Sequence, residues 1–153
     1  MFKAFKQAIA DYNVIAIDSL VFSYYFHDTQ PYVFLSEVII EKIADKTTYV
    51  KTSVISYLET LSFPGFDEDG DKLSFIKSFF FIQPALEIVD LGSTLAEKAA
   101  ELRRIYHLLT PDAVQLATAI TNKVDVFITN DEHFKKVRQK DTVPILFLDQ
   151  FLS

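Results

Sequence analysis

The chain has 153 residues, the usual size of one domain, and 50% of them are apolar. It has no cysteine, which excludes thiol catalysis, zinc ribbons, iron–sulfur sites and a disulfide framework. The net charge of −6 argues against a protein that holds nucleic acid on a broad basic surface. No apolar run approaches the roughly 20 residues that span a bilayer, and the first residues lack a secretory pattern. We therefore expect a single domain over residues 1–153, located in the cytoplasm and not associated with a membrane.

Apolar, β-branched runs alternate along the chain with segments of helical spacing. Five runs predict strands, at residues 14–17, 49–55, 86–91, 125–129 and 145–148. Helices are predicted at residues 2–12, 19–26, 35–44, 56–61, 72–81, 93–108, 110–122 and 131–138. The first of these is an extra helix within residues 1–13. This alternation predicts an α/β fold, with a mainly parallel sheet flanked by helices on both faces.

Glycine and histidine give little support to other chemistries. The three glycines are too few and too scattered for a glycine-rich phosphate loop. The three histidines show no metal-ligand spacing, so we predict surface or packing positions for them: His27, His107 and His133. The segment at residues 62–71 predicts a loop. It could border a substrate cleft, although an ordinary solvated loop is the favoured interpretation.

Four carboxylates remain as candidates for a functional site. Asp18 follows the first strand directly, and Asp131 follows the fourth. Glu59 and Asp112 are predicted in the first turns of helices, where the helix dipole favours anions. Helices that follow parallel strands begin at the edge of the sheet where those strands end, and ligands bind there. We therefore expect the four acids to converge.

Each acid also has a structural alternative. Asp18 could cap the next helix, and Ser56 with Glu59 fits a capping box. Asp112 and Asp131 could be ordinary first-turn acids. As a group, however, like charges in one pocket raise each other's pKa values, and cations relieve that conflict. Oxygen ligands suit Mg²⁺ or Mn²⁺ better than zinc.

Four segments in order resemble those of the PIN-domain nucleases, and among them the VapC-like toxins of toxin–antitoxin pairs. They are Ile-Ala-Ile-Asp-Ser at 15–19, Ser-Val-Ile-Ser-Tyr-Leu-Glu at 53–59, Leu-Thr-Pro-Asp-Ala-Val-Gln-Leu-Ala-Thr-Ala at 109–119, and Phe-Ile-Thr-Asn-Asp-Glu-His-Phe at 127–134. Leu20 departs from the family, which often has a polar residue there.

The resemblance implies strand order 3-2-1-4-5 and hydrolysis of RNA phosphodiester bonds. Catalysis and metal binding are assigned to Asp18, Glu59, Asp112 and Asp131, with Mg²⁺ or Mn²⁺ as the cofactor. We expect three neighbours to support the ligands: Ser19, Thr129 and Asn130. The implied partners are an RNA substrate, an antitoxin protein and a second copy of the chain.

Two rival functions stay open. In the first, the same fold is a binding module whose acidic pocket engages basic side chains of a protein partner. In the second, the protein is a structure-specific nuclease acting on DNA, although so short a chain lacks the usual clamp elements. Cleavage by purified protein with Mn²⁺, abolished by a chelator, separates an enzyme from a binding module.

Overall fold

The computed structural model describes residues 2–152, and its centre is one five-stranded sheet. Every strand pair is parallel, and the order is β3-β2-β1-β4-β5. The predicted fold class and strand order are thus confirmed. The strands are β1 (Val14–Ile17), β2 (Tyr49–Ser53), β3 (Leu86–Val89), β4 (Val126–Thr129) and β5 (Ile145–Phe147).

Helices cover both faces of this sheet. Within residues 2–152 the α-helices are α1 (Phe2–Ala8), α2 (Ser19–Phe26), α3 (Val33–Ala44), α4 (Val54–Leu61), α5 (Gly70–Ile82), α6 (Ser93–Tyr106) and α7 (Thr110–Thr121). Short 3-10 helices follow at Glu132–Lys136, Gln139–Asp141 and Leu148–Phe151. None of the helices in this part of the chain has the length and apolarity needed to cross a membrane.

Strand β1 shows how the sheet separates two hydrophobic cores. Successive side chains of a strand point to opposite faces. Ile15 and Ile17 therefore join one core, while Ala16 between them joins the other. The first core includes apolar residues of α1, α2, α3 and α5, and the second those of α6 and α7. A strand buried on both faces must be apolar throughout, which explains the unbroken run of β1.

Two predicted boundaries were wrong in ways that affect the site. Strand β2 ends at Ser53 instead of Ile55, because the Ser53 hydroxyl accepts a hydrogen bond from the Ile55 amide (3.0 Å) and starts α4 there. The predicted helix at 131–138 is a 3-10 helix followed by extended backbone. Phe134 is the buried residue of this 3-10 helix, and Val137, which is also buried, lies on the extended backbone after it.

The first helix is also shorter than predicted, ending at Ala8 instead of Tyr12. Its buried Phe5 packs edge-on against Phe151, with ring centroids 5.1 Å apart. This contact ties the start of the chain to its end.

The functional edge of the sheet lies at the carboxyl ends of its central strands. Ile17 at the end of β1 is paired with Ile128 of β4, so the residues that follow both strands emerge side by side. Helix α4 begins immediately after β2, at this same edge.

Candidate metal centre

Asp18 sits at the centre of this edge, directly after β1. Its Oδ1 accepts a hydrogen bond from the Leu20 amide (3.1 Å), so it does cap α2 as the structural alternative proposed. Its Oδ2 accepts a second hydrogen bond, from the Thr129 hydroxyl. The side chain is only 2% exposed. This burial raises the pKa of Asp18 to about 7, with the nearby charge of Asp131 adding to the effect and the Thr129 hydrogen bond opposing it.

Thr129 connects Asp18 to a second acid. Its hydroxyl donates to Asp18 and accepts from the backbone amide of Asp131 (3.0 Å). Thr129 is fully buried at the end of β4. The Asp131 side chain turns back to accept from the His133 amide (2.9 Å), which caps the 3-10 helix. One buried hydroxyl therefore links the carboxylate of Asp18 to the backbone of Asp131.

Glu59 reaches the site from α4. The capping-box interpretation was wrong, because α4 begins at Val54 and Ser53 caps it, which places Glu59 well inside the helix. Its Oε1 accepts hydrogen bonds from Gln115 Nε2 (2.8 Å) and from the Ser19 hydroxyl (3.3 Å). Partial burial raises the pKa of Glu59, as does the charge of Asp112, while both hydrogen bonds oppose the rise.

Asp112 lies in the first turn of α7. Partial burial raises its pKa, and the charge of Asp131 raises it further, while His133 and Lys136 lower it. Asp131 also contributes to the raised pKa of Asp18 and of Glu59. Asp131 therefore lies close enough to influence the ionisation of the other three predicted acids, and Asp112 close enough to influence that of Glu59.

The sequence patterns missed His133 as a member of this cluster. It is exposed, as predicted, but its Nδ1 lies 2.9 Å from Asp131 Oδ1 and 3.6 Å from Asp112 Oδ2. One ligand atom from each of these three residues falls within 4.8 Å of the others, so together they could hold a metal ion. One sequence feature could have indicated this role: His133 lies two residues after Asp131, in the 3-10 helix that Asp131 caps.

Gln115 was missed as well. It is 6% exposed, and it donates to Glu59 across the gap between α7 and α4. Gln115 lies three residues after Asp112, and residues three apart share a helix face. That spacing was visible in the sequence, but an amide in an otherwise apolar helix carried no specific signal.

Asn130 has a different role from the one predicted. Its side chain donates to the Tyr24 hydroxyl (3.2 Å) and accepts from the Asp149 amide (2.9 Å), and no hydrogen bond to Asp131 is found within residues 2–152. It therefore fastens the last 3-10 helix to α2. Ser19 and Thr129, by contrast, contact the acids directly.

The donor set fits a hard divalent cation. Two carboxylates, Asp112 and Asp131, contribute oxygen atoms at metal-binding distance, and the His133 imidazole lies beside both. Asp18 and Glu59 lie outside this group of three. Burial is the main cause of the raised pKa values of Asp18, Glu59 and Asp112, and neighbouring carboxylates add to it. The ammonium of the nearby Lys136 donates a hydrogen bond to the His107 carbonyl (3.2 Å). Oxygen-rich sites of this kind suit Mg²⁺ or Mn²⁺.

A comparison with protein families agrees with this geometry. The PIN domain family model matches residues 15–140, which include all four acids. The chain therefore belongs to the PIN domain family, and the expected family resemblance is confirmed. No curated protein matches it in sequence.

Solved structures of toxin–antitoxin proteins share the fold. VapBC2 from Rickettsia felis, bound to a promoter DNA fragment, superposes with a TM-score of 0.65 at 16% identity, covering 88% of this chain and 98% of that one. DNA-bound VapBC from Salmonella typhimurium gives 0.64 at 16% identity, with the same coverage of 88% and 98%. VapC20 from Mycobacterium tuberculosis, described as a toxin that cleaves the sarcin–ricin loop, gives 0.62 at 16% identity, covering 81% and 98%. At such identities the likeness concerns the fold.

Proposed function

We propose that this PIN-domain protein is a metal-dependent endoribonuclease and the toxin of a toxin–antitoxin pair. The observation that carries the proposal is the convergence of Asp18, Glu59, Asp112 and Asp131 at one sheet edge, with Asp131 raising the pKa of the other three. Such a cluster destabilises the fold unless a ligand compensates it. A cation that also binds a phosphate diester would do so.

Each acid has a distinct part in this proposal. Asp18, Asp112 and Asp131 would hold one or two Mg²⁺ or Mn²⁺ ions, and Glu59 would complete the site through a water or a second ion. When bound, the metal supplies Lewis-acid activation of water and stabilises charge on the leaving oxygen. Gln115 and Ser19 hold Glu59 by one oxygen, Oε1. Oε2 is then the atom that can turn toward the cluster.

A basic residue beside the acids would help to guide the RNA backbone. Lys136 lies close enough to the site for its charge to lower the pKa of Asp112. Lys135 is paired with Glu132 (3.1 Å), and Arg138 with Asp141 (3.0 Å). We assign Lys136 to the phosphate next to the cleaved bond.

The structural neighbours support RNA as the substrate and an antitoxin as the partner. One of them is described as cleaving the sarcin–ricin loop, and two others are antitoxin complexes bound to DNA. An RNA target agrees with the cytoplasmic location expected from the sequence. Exposed apolar side chains, among them Phe75 and Leu58, offer area for an antitoxin or a second copy of the chain.

The experiment is cleavage of a 5′-labelled single-stranded RNA and the matching DNA by purified protein. We expect cleavage of RNA with Mn²⁺ or Mg²⁺, none with excess chelator, and recovery when the metal is restored. Cleavage that persists in chelator would contradict the metal dependence. Preferential cleavage of DNA would favour the DNA nuclease, and no cleavage of either polymer would favour a binding module.

A further inference from the structure

We propose that a cavity between α2 and α4, beside Glu59, binds an unpaired nucleobase of the RNA next to the cleaved phosphate. This inference rests on the proposed nuclease function and adds a base-binding site to it. The cavity has a volume of about 240 Å³. That is below the range of roughly 300–1,000 Å³ typical of sites for drug-sized ligands, so it suits a single small ring system.

Two helix faces form the walls of the cavity. From α2 and its carboxyl end come Ser19, Ser23 and His27, which follow one another at intervals of four residues. From α4 and the segment after it come Glu59 and Phe63, again four apart. Residues at this spacing share a helix face, so the cavity runs along α2, and it extends past the end of α4 to Phe63. It begins at Glu59, which also belongs to the carboxylate cluster.

The far end of the cavity is aromatic. The rings of His27 and Phe63 stack with centroids 4.0 Å apart and an interplanar angle of 28°. Phe63 remains 48% exposed, so much of its surface is open to a ligand. Proteins hold unpaired bases by stacking them on such side chains.

His27 adds a hydrogen-bond donor to this end. Its Nδ1 lies 3.3 Å from the ammonium of Lys72. Because lysine can only donate, Nδ1 must accept, and the ring hydrogen is then on Nε2. Burial and the charge of Lys72 lower the pKa of His27, which agrees with a neutral ring. The Nε2–H and the serine hydroxyls are groups that bind base edges.

The charge of the cavity favours a base over a phosphate. Glu59 at its inner end would repel an anion, and the nearby ammonium of Lys72 is at the far end, where it donates to His27 Nδ1. A base is uncharged, and the base attached to the reacting nucleotide must lie within one nucleotide of the carboxylate cluster. The competing occupant is a basic side chain of a protein partner.

Binding is tested by NMR on the full chain without metal, titrated with the four nucleoside 5′-monophosphates. We expect the ring resonances of Phe63 and His27 to shift, and Phe63→Leu to weaken the apparent affinity about tenfold. The matched control is Phe81→Leu, which changes an exposed phenylalanine outside the cavity and should bind like the parent protein. An arginine-rich peptide, which represents a protein partner, is titrated in parallel. The proposal is overturned if only the peptide shifts these ring resonances, or if all three proteins bind the nucleotides with equal affinity.

A cleavage assay then places the base along the RNA. Substrates that lack one base at a time are compared in the parent protein and in Phe63→Leu. At one position beside the cleaved bond, loss of the base should raise the KM of the parent protein about tenfold. In Phe63→Leu, loss of the same base should change KM little, because the base no longer has its stacking partner. Additive losses at every position would overturn the base site while leaving the nuclease proposal intact. Failure to cleave any RNA, with nucleotide binding preserved, would overturn the nuclease function instead.

Discussion

Gln115 Nε2 donates a 2.8 Å hydrogen bond to Glu59 Oε1 and so joins α7 to α4 beside the carboxylate cluster. Gln115 is almost fully buried and lies one turn after Asp112. Glu59 is a proposed metal ligand, and mutation of a group that orients a metal ligand typically costs about 10- to 100-fold in metal affinity.

Replacing Gln115 by leucine should therefore weaken metal binding. Gln115→Leu keeps the volume but leaves only Ser19 to hold Oε1, so Glu59 can rotate. We expect the Kd for Mn²⁺, measured by titration calorimetry, to rise about 10- to 100-fold. Gln7→Leu on the exposed face of α1 is the matched control and should leave this Kd unchanged. An unchanged Kd in Gln115→Leu would show that the hydrogen bond has no part in the metal site.

The hydroxyl of Thr129, and not the shape of its side chain, should be needed for stability and for metal binding. Thr129→Val removes the hydroxyl that donates to Asp18 and accepts from the Asp131 amide. We expect a loss of about 1–3 kcal/mol in the free energy of unfolding, together with weaker Mn²⁺ binding, while Thr129→Ser retains both.

Thr52→Val provides the control for that pair of variants. Thr52 is equally buried, but its hydroxyl donates to the Ile17 carbonyl (2.8 Å) and not to an acid. It should lose stability without losing metal affinity. Equal losses of Mn²⁺ affinity in Thr52→Val and Thr129→Val would contradict a specific role for Thr129.

The raised pKa of Asp18 predicts a pH-dependent stability in the absence of metal. Between about pH 4, where the unfolded carboxyl titrates, and its folded pKa of about 7, the folded state binds a proton that the unfolded state does not. The free energy of unfolding should therefore fall as pH rises through this range, by at most about 1.4 kcal/mol per pH unit from this group. Glu59 and Asp112, also raised, act in the same direction.

Urea unfolding across this pH range checks the prediction. Asp18→Asn should flatten the profile, because an amide does not ionise but can still accept from Leu20 and hydrogen-bond to Thr129. Mn²⁺ should restore stability at neutral pH in the parent protein, since a ligand of the folded state stabilises it. A parent profile that rises from pH 4 to 7 would contradict the raised pKa that burial gives Asp18.

Periodicity was sufficient to predict a parallel sheet, and the family resemblance supplied the strand order that places β4 beside β1. The apolar run before Asp18 predicted a buried strand, and Ile17 of that strand is paired with Ile128 of β4, so Asp18 and Asp131 follow neighbouring strands. The roles of the four acids stay a prediction. The contacts around the acids could not be predicted in the same way. Gln115 and His133 contact the acids through side-chain positions that depend on the packing of the folded chain. Ser53 starts α4 earlier than the β-branched run indicated. Asn130, although adjacent to Asp131, turns to Tyr24 instead.

The central claim is tested most directly by cleavage of single-stranded RNA with Mn²⁺ under single-turnover conditions, comparing Asp112→Asn with Asp11→Asn. Asp112 belongs to the proposed metal site, whereas Asp11 is an exposed acid before β1, at the opposite edge of the sheet. We predict that Asp112→Asn lowers the rate at least 100-fold, the upper range for loss of a group that supports a metal, while Asp11→Asn cleaves like the parent protein. Cleavage by Asp112→Asn at the parent rate would contradict the assignment of the site.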